Sequence, residues 1–174
     1  MAPSTWITRF APLVVAGGSV LDVACGGGRH TRFFLGRGHR VTAVDRDTSG
    51  VADLDGEPGL EVVESDLEAG APVPFRGRTF DGVVVTNYLH RPILDDIVAA
   101  VAPGGVLLYE TFAVGQERFG RPQNPDFLLR PGELLDAVRG ALRVVAYEDL
   151  VLEDSTPRAV QRIAAVRAWD PHDG

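Results

Sequence analysis

The sequence of 174 residues contains no lysine, so all 17 of its basic residues are arginines. Without lysine the chain can form no lysine Schiff base, and it lacks the phosphate-binding lysine of a P-loop. Its one cysteine, Cys25, has no partner for an internal disulfide, and the four histidines show no zinc-type spacing with it. We therefore expect neither lysine-dependent chemistry nor a bound structural metal.

Long apolar runs are also missing from the sequence. No stretch approaches the roughly 18 to 20 residues that a membrane-spanning helix needs, and Arg9 and Pro12 interrupt the region where a signal peptide would be apolar. These features predict a cytoplasmic protein that does not contact a membrane. The net charge of −7 disfavours nucleic acid as a partner and favours a small molecule.

Short apolar segments rich in valine, leucine and isoleucine recur along the whole chain. Several are apolar at consecutive positions, as in Val83-Val84-Val85, which is typical of strands buried on both faces of a parallel sheet. The seven predicted strands are 19–24, 39–45, 60–65, 80–86, 106–111, 142–150 and 158–166. Helices are predicted at 29–36, 92–101 and 131–142, and an amphipathic segment, 5–15, is expected to pack across the edge of the sheet.

This alternation predicts one α/β domain, doubly wound around a mostly parallel seven-stranded sheet. Two connections are predicted to contain little helix to cover the sheet. The connection 46–59 has room for at most a short helical turn, and 66–79 is predicted to contain no helix because of its prolines and glycines. One sheet face is therefore expected to be poorly covered, and the oligomeric state is expected to be a monomer or a weak homodimer. Ligands of such folds bind outside the carboxyl ends of the strands.

Glycines follow the first predicted strand, in the run Cys25-Gly26-Gly27-Gly28, and a helix begins directly after them. Glycine allows a ligand to approach the backbone closely, and the free N–H groups of a helix start attract a carboxylate or a phosphate. The alternative interpretation is a tight strand-to-helix turn without a ligand.

Acidic residues end the next two predicted strands. Asp45 ends the second strand and can accept hydrogen bonds from both hydroxyls of a ribose. Asp66 follows the third strand and can accept from an exocyclic amine, while Leu67 covers an aromatic base; this arrangement suits adenine. As alternatives, Asp45 is a solvated loop acid and Asp66 caps a turn.

These motifs, with Phe80-Asp81-Gly82 and Ala102-Pro103-Gly104-Gly105, resemble those of class I S-adenosylmethionine-dependent methyltransferases. Within that class, the run that begins at Cys25 is similar to small bacterial enzymes related to tellurite-resistance methyltransferases. The resemblance implies a single Rossmann-like domain over 1–174, with an N-terminal helix in 1–18, and S-adenosyl-L-methionine as the cofactor. Asn87-Tyr88-Leu89-His90 departs from the Asn-Pro-Pro-aromatic run of enzymes that methylate amino groups of bases or glutamine.

The resemblance also implies roles for individual residues. Gly26 and Gly28 flank the methionine part of the cofactor, Asp22 supports its amine, and Asn87 closes the site beside the sulfonium. The full set of expected cofactor-binding residues is Asp22, Ala24, Gly26, Gly28, Asp45, Arg46, Asp66, Leu67 and Asn87.

The acceptor is expected to be a small molecule that is methylated on O, S, N or an oxyanion. His90 is the expected general base and Tyr88 its neighbour in the catalytic pair, although His90 can instead simply help to begin a helix. The long connection 112–130 is the expected acceptor loop, and Arg118, Arg121 and Tyr109 are the expected substrate-binding residues. Surface ion pairs are the alternative role of the two arginines.

Two other function classes remain open from the sequence. A nicotinamide-dependent oxidoreductase needs glycine where Thr31 stands in the glycine motif, and it leaves Asp66 without a role. A cofactor-binding regulatory protein on the same fold, without turnover, keeps all of the binding motifs.

Overall fold

The computed structural model describes residues 1–169. Seven strands form one sheet in the order β3-β2-β1-β4-β5-β7-β6, in which β7 runs antiparallel to its neighbours and the other pairs are parallel. The strands are β1 (Ser19–Val23), β2 (Arg40–Asp45), β3 (Leu60–Glu64), β4 (Phe80–Thr86), β5 (Val101–Phe112), β6 (Arg143–Leu152) and β7 (Arg158–Val166). The predicted mostly parallel, seven-stranded sheet is confirmed.

The central strands are buried on both faces, as their continuous apolar runs predict. In β4, Val83 and Val85 point into a core cluster on one face of the sheet, whereas Val84 belongs to the cluster on the other face. All three side chains are fully buried. The period of two along the strand therefore supplies both halves of the core.

Within the described residues, four α-helices cover the sheet: α1 (Thr5–Phe10), α2 (Arg29–Gly36), α3 (Leu94–Ala99) and α4 (Glu133–Val138). The helices α3 and α4 are shorter than predicted. Pro92 lies in a 3₁₀ turn before α3, and Val101 already begins β5. Gly132 is left-handed just before α4, and Arg139 turns to an extended conformation after it. These local backbone conformations end the helices early.

The N-terminal helix packs on a face of the sheet, so its predicted position across the edge is wrong. Trp6 is buried in the cluster that contains Val84, and its indole N–H donates to the carbonyl of Ile163 in β7 at 3.1 Å. Pro12 follows in a 3₁₀ turn, Ala11–Leu13, so the helix is shorter than the predicted segment 5–15. A large aromatic side chain gains more from burial on a face than at an exposed edge.

The connection between β3 and β4 contains no helix, as predicted, yet it covers the sheet. Val73 and Phe75 insert into the core, with 5% and 1% of their surface exposed. The expectation of a poorly covered face is therefore wrong, because side chains of an irregular segment take the place of a helix. The other connection predicted to contain little helix holds a 3₁₀ helix, Thr48–Leu54.

The direction in which the chain winds reverses between β1 and β4. From β1 the chain moves outward through β2 and β3, and it then returns to place β4 on the other side of β1. A crevice forms at the carboxyl ends of the strands at such a point. No helix within residues 1–169 is both long and apolar enough to cross a membrane.

Candidate active site

A cavity of about 770 Å³ opens at the carboxyl ends of β1 to β5, where the winding reverses. Its volume lies within the range of roughly 300 to 1,000 Å³ that is usual for sites of drug-sized ligands. The cavity is lined by Ala24, Asp45, Arg46, Ser65, Asp66, Leu67, Glu68, Asn87, Tyr88, Leu89, Thr111, Phe112, Arg121, Pro122, Gln123, Asn124 and Phe127.

Two lining residues have left-handed backbones although neither is a glycine. Ala24 follows β1 with φ 54°, and Asn87 follows β4 with φ 53°. A left-handed alanine costs about 1 to 2 kcal/mol, and such strained residues concentrate at functional sites. The two neighbouring central strands thus both end in a strained residue on the cavity wall.

The glycine turn after β1 is held on one side and open on the other. Gly28 has φ 78°, and a Cβ there would collide with Cγ1 of Val51 in the 3₁₀ helix. A Cβ on Gly26 or Gly27 would meet no atom within 4 Å. The side of the turn with Gly26 and Gly27 therefore leaves space for a ligand to approach the backbone.

Asp45 lies at the end of β2 beside this turn. Its Oδ2 accepts a hydrogen bond from the Gly26 N–H at 2.9 Å, and its Oδ1 accepts from the Asp47 N–H at 3.0 Å. Each carboxylate oxygen can accept a second hydrogen bond. The carboxylate is thus fixed in orientation and still has acceptor positions for a ligand.

Asp66 and Leu67 follow β3 on the same wall of the cavity. Oδ1 of Asp66 accepts from the Glu68 N–H at 2.9 Å, which fixes the carboxylate in a turn. Leu67 is 7% exposed and packs into the core. An acidic group and an apolar surface therefore lie side by side, as recognition of a purine with an exocyclic amine requires.

Asp22 lies behind the glycine turn and does not line the cavity. Its carboxylate accepts a hydrogen bond from the Thr31 hydroxyl at 2.7 Å, and burial raises the pKa of this carboxyl to about 6. Burial likewise raises the pKa of the nearby Cys25 thiol to about 12, so the thiol is protonated at neutral pH. Asp22 ties β1 to α2.

The segment after β4 places the two expected catalytic residues differently. Tyr88 lines the cavity, and burial raises the pKa of its hydroxyl. His90 lies outside the lining, with Nδ1 3.4 Å from a carboxylate oxygen of Glu68, which does line it. Tyr109 is buried in the core and donates its hydroxyl to the carbonyl of Tyr88 at 2.7 Å. Tyr109 therefore supports the cavity wall from behind.

The connection 112–130 is anchored at its base by buried side chains. Gln116 donates to the Arg121 carbonyl at 3.1 Å and accepts from the Ala159 N–H at 2.9 Å. Gln161, which is fully buried, donates to the Arg130 carbonyl at 2.6 Å. These contacts hold both ends of the connection against β7.

The two arginines expected to bind substrate differ in position. Arg121 lines the cavity, together with Phe127 from the same connection. Arg118 does not line it: its guanidinium lies 5.2 Å from the centre of the Phe119 ring, and its Nε donates to the Gly115 carbonyl. The structure therefore brings one of the two arginines to the site.

The structure thus gathers most of the expected set around one cavity and leaves part of it outside. The residues outside the lining are Asp22, Gly26, Gly28, His90, Tyr109 and Arg118. The lining residues that the sequence analysis missed are Ser65, Glu68, Leu89, Thr111, Phe112, Pro122, Gln123, Asn124 and Phe127. The sequence predicted 112–130 to be a binding segment, but nothing in it showed which side chains point into the cavity.

In the described part of the chain, no group of three or more His, Cys, Asp or Glu side chains is placed to hold a metal.

Comparison with known proteins assigns the chain to a family. Residues 20–105 match the family described as "Methyltransferase domain". The ubiquinone biosynthesis O-methyltransferase of Paraburkholderia phytofirmans is 35% identical over 159 residues, which cover 78% of this chain and 68% of that protein. The chain belongs to the class I S-adenosylmethionine-dependent methyltransferases.

Two further matches show how much of this chain is similar in sequence or in fold to other proteins. Against the ubiquinone biosynthesis O-methyltransferase of Burkholderia orbicola, identity is 38% over 114 residues, 61% of this chain and 48% of that protein. The chain thus spans about half the length of that curated relative. TehB from Haemophilus influenzae superposes with a TM-score of 0.73 at 17% identity, covering 93% of this chain and 61% of that one, and thus shares the fold.

The residues on the cavity fit the cofactor of this family, S-adenosyl-L-methionine. The open space over Gly26 and Gly27 leaves room at the backbone, and Asp45 retains acceptor positions. Asp66 and Leu67 offer the acidic and apolar contacts that adenine needs. These residues therefore offer the hydrogen-bond acceptors and the apolar surface that S-adenosyl-L-methionine needs.

Proposed function

We propose that this protein transfers the methyl group of S-adenosyl-L-methionine to an O, N, S or oxyanion atom of a small molecule in the cytoplasm. The observation that carries the proposal is the convergence of Asp45, Asp66 and Leu67 on one cavity at the point where the winding reverses. The proposal includes a monomer or weak homodimer that acts without nucleic acid or a membrane.

In this proposal the ends of β1 to β4 hold the cofactor. Asp45 accepts from the ribose hydroxyls, Asp66 accepts from the adenine amine, and Leu67 covers the base. Gly26 lets the methionine part approach the backbone, and Asn87 closes the site beside the sulfonium. Arg46 and Ala24 complete the wall around the adenosine.

Two expected cofactor residues receive a different role. Asp22 is buried behind the turn and bound by Thr31, so we assign it to holding the turn rather than to binding the amine. Gly28 packs against Val51, and it therefore sets the shape of the turn and the start of α2.

When bound, the cofactor supplies a methyl group on a positively charged sulfur, which is displaced in line by the acceptor. The protein's task is then to hold the acceptor opposite the sulfur at near-attack distance and to exclude water. Tyr88 and Phe112 line the same cavity as Asn87, and residues 121–124 and Phe127 of the connection 112–130 also belong to its wall.

Proton removal from the acceptor involves His90 only indirectly in this arrangement. Glu68 lies between His90 and the cavity, with its carboxylate 3.4 Å from His90 Nδ1. We therefore assign Glu68 as the first group to take a proton and His90 as the positioning residue that supports it.

Calorimetry and turnover test the proposal directly. We expect S-adenosylmethionine and S-adenosylhomocysteine to bind with micromolar dissociation constants, about −8 kcal/mol, and NAD not to bind. Labelled cofactor incubated with a panel of phenols, thiols, amines and oxyanions should release a methylated product. A preference for NAD would contradict the proposal, and binding without turnover of any acceptor would favour a regulatory protein.

A further inference from the structure

The cavity has two parts of different chemical character. The part built by the ends of β2 and β3 carries three acidic side chains, Asp45, Asp66 and Glu68. The part built by β4, β5 and the connection 112–130 carries no acidic side chain among its described lining residues. We name this second part the acceptor subsite; its characteristic side chains are Tyr88, Phe112, Arg121, Gln123, Asn124 and Phe127.

The acceptor subsite combines aromatic surface with a single positive charge. Tyr88, Phe112 and Phe127 present ring surfaces, and Phe127 is 45% exposed although it is a large apolar side chain. The exposed part of this ring is available for contact with a ligand in the cavity. A flat apolar ligand would cover these rings.

Arg121 differs from the neighbouring arginines in the contacts that its guanidinium makes within the described residues. Arg91 pairs with Glu133 at 2.7 Å, Arg130 lies 3.6 Å from the same carboxylate, and Arg118 covers Phe119. Within residues 1–169 the Arg121 side chain forms neither a hydrogen bond nor an ion pair. Its backbone carbonyl, in contrast, is held by the buried Gln116 at 3.1 Å. The main chain of Arg121 is therefore fixed, and the charged group remains available.

We propose that the methyl acceptor is an aromatic acid, whose carboxylate or equivalent anionic group pairs with Arg121 while its ring packs against Phe127 and Tyr88. The claim that this acid is methylated rests on the proposed methyl transfer, whereas the claim that it binds at Arg121 does not. A guanidinium binds a carboxylate through two parallel hydrogen bonds, which fixes the ligand in orientation as well as position. The negative charge of the acceptor also suits a neighbouring sulfonium.

The acidic part of the cavity supports this division of labour. The anionic group of such a ligand is repelled by Asp45, Asp66 and Glu68, so that group is directed away from the adenosine positions and toward Arg121. The atom to be methylated is uncharged until Glu68 takes its proton, so it is not subject to the same repulsion. Arg46, the other cation on the wall, follows Asp45 directly and belongs to the adenosine part. The distribution of charge on the wall thus favours different positions for the cofactor and the aromatic acid within one cavity.

Binding of matched acid and amide probes tests the proposal without any need to know the true acceptor. We would titrate 2-naphthoate and 2-naphthamide into the protein by calorimetry, with and without saturating S-adenosylhomocysteine. The naphthoate should bind at least tenfold more tightly than the amide. Arg121→Gln should lower naphthoate affinity at least tenfold and remove the preference, with S-adenosylhomocysteine affinity unchanged within threefold.

Two further variants make the result specific. Arg118→Gln removes an equal charge from the same connection outside the cavity, and it should leave the preference intact. Phe127→Ala should weaken the acid and the amide by the same factor, since it removes the ring contact and keeps the charge. Circular dichroism of each variant verifies that its fold is retained.

Several outcomes would overturn the proposal. Equal affinity for 2-naphthoate and 2-naphthamide would show that the charge of the ligand plays no role. An equal loss of naphthoate affinity in the Arg118 and Arg121 variants would show a nonspecific effect of charge. Inorganic phosphate or selenite that competes as strongly as naphthoate would indicate a small oxyanion instead of an aromatic acid. Failure of S-adenosylhomocysteine to bind, with an Arg121-dependent preference for naphthoate retained, would overturn the proposed methyl transfer and leave the acid subsite standing.

Discussion

The guanidinium of Arg91 forms a two-point ion pair with the carboxylate of Glu133, with N–O distances of 2.7 and 2.9 Å. The same guanidinium donates to the carbonyls of Asp126 and Leu128, so it joins the segment after β4, the connection 112–130 and α4. Burial acts to raise the pKa of Glu133, but the hydrogen bonds and positive charges of Arg91 and Arg130 together outweigh burial and leave this pKa below its usual value. This pair is therefore a central anchor of the side of the cavity that we propose for the acceptor.

Replacement of this anchor should loosen the acceptor side selectively. We expect Arg91→Met to lower the free energy of unfolding by about 2 kcal/mol, because a partly buried carboxylate loses a charged partner. The KM for the acceptor should rise, and the cofactor dissociation constant should stay within threefold. Urea unfolding and steady-state kinetics measure both effects. Arg139→Met is the matched control, since the Arg139–Asp136 pair is exposed and should contribute little. Equal losses in the two variants would contradict the anchoring role.

Asp45 offers a test of the cofactor side. We expect Asp45→Asn to weaken S-adenosylhomocysteine binding by about 1.5 to 3 kcal/mol, the usual scale for hydrogen bonds to a charged group. The fold should survive, because the side chain lies at the end of a strand and an amide oxygen can still accept from the Gly26 N–H. Asp47→Asn is the control, since Asp47 caps the 3₁₀ helix through Ser49 and does not line the cavity. Unchanged affinity in the folded Asp45 variant would mean that the ribose is held elsewhere.

The two sides of the glycine turn should respond differently to alanine. Gly28→Ala is expected to destabilise the protein by about 2 to 4 kcal/mol, since it combines a left-handed alanine with a collision against Val51. Gly27→Ala meets no atom within 4 Å and should leave the melting temperature nearly unchanged while it weakens cofactor binding. Thermal unfolding and calorimetry on both variants separate the two roles. A Gly27 variant with native affinity would show that the cofactor does not approach this part of the backbone.

Two buried groups should give the stability opposite dependences on pH. Burial raises the pKa of Asp22 from 3.8 to about 6, so the folded state binds more protons than the unfolded state between these values. The contribution of Asp22 to stability therefore increases as the pH falls from 6 to 4. Burial lowers the pKa of His30 from 6.5 to about 4, and protonation would end its acceptance of the Ser4 N–H. The contribution of His30 is lost over the same range of falling pH.

Substitution of one group should reveal the effect of the other. We expect Asp22→Asn to lose stability on acidification from pH 6.5 to 4.5 more steeply than the original protein, because the loss from His30 is no longer offset. His30→Asn should lose less than the original protein. Urea unfolding at several pH values measures these slopes. Parallel profiles for all three proteins would show that neither group titrates in this range.

Local sequence patterns were sufficient to predict the frame of the site. The consecutive valines of β4 are typical of a strand that is buried on both faces, and the glycines after β1 are typical of a turn that needs conformational freedom. Both signals depend only on neighbouring residues, so the sheet and the glycine turn were predictable. The position of Tyr109 was not, because the face on which a strand residue lies depends on the register with neighbouring strands. Alternation along β5 places Tyr109 in the core behind Tyr88, whereas Glu110 points to the opposite face, toward Ser4.

The path of the acceptor loop depends on contacts between distant residues. Arg91 and Gln161 hold this connection from positions far away in the sequence, and no local sequence pattern indicates that role for either residue. Arg118 and Arg121 lie three positions apart, yet only Arg121 of the two reaches the cavity, and its carbonyl is held by the side chain of Gln116. A single sequence carries no local signal for such long-range anchors.

The connection 112–130 is held near its start by Gln116, which binds the Ala159 N–H and the Arg121 carbonyl, and at its end by contacts to the carbonyls of Asp126, Leu128 and Arg130. None of these contacts uses a side chain of the segment 117–125, so side chains there can change without loss of these anchors. The cavity wall that we propose for adenosine and this short segment are therefore separable parts of the molecule. Exchange of residues 117–125 would change Arg121, Gln123 and Asn124 on the wall that we propose for the acceptor and no residue of the wall that we propose for adenosine. A library confined to these positions would therefore vary one half of the cavity while the other stays the same.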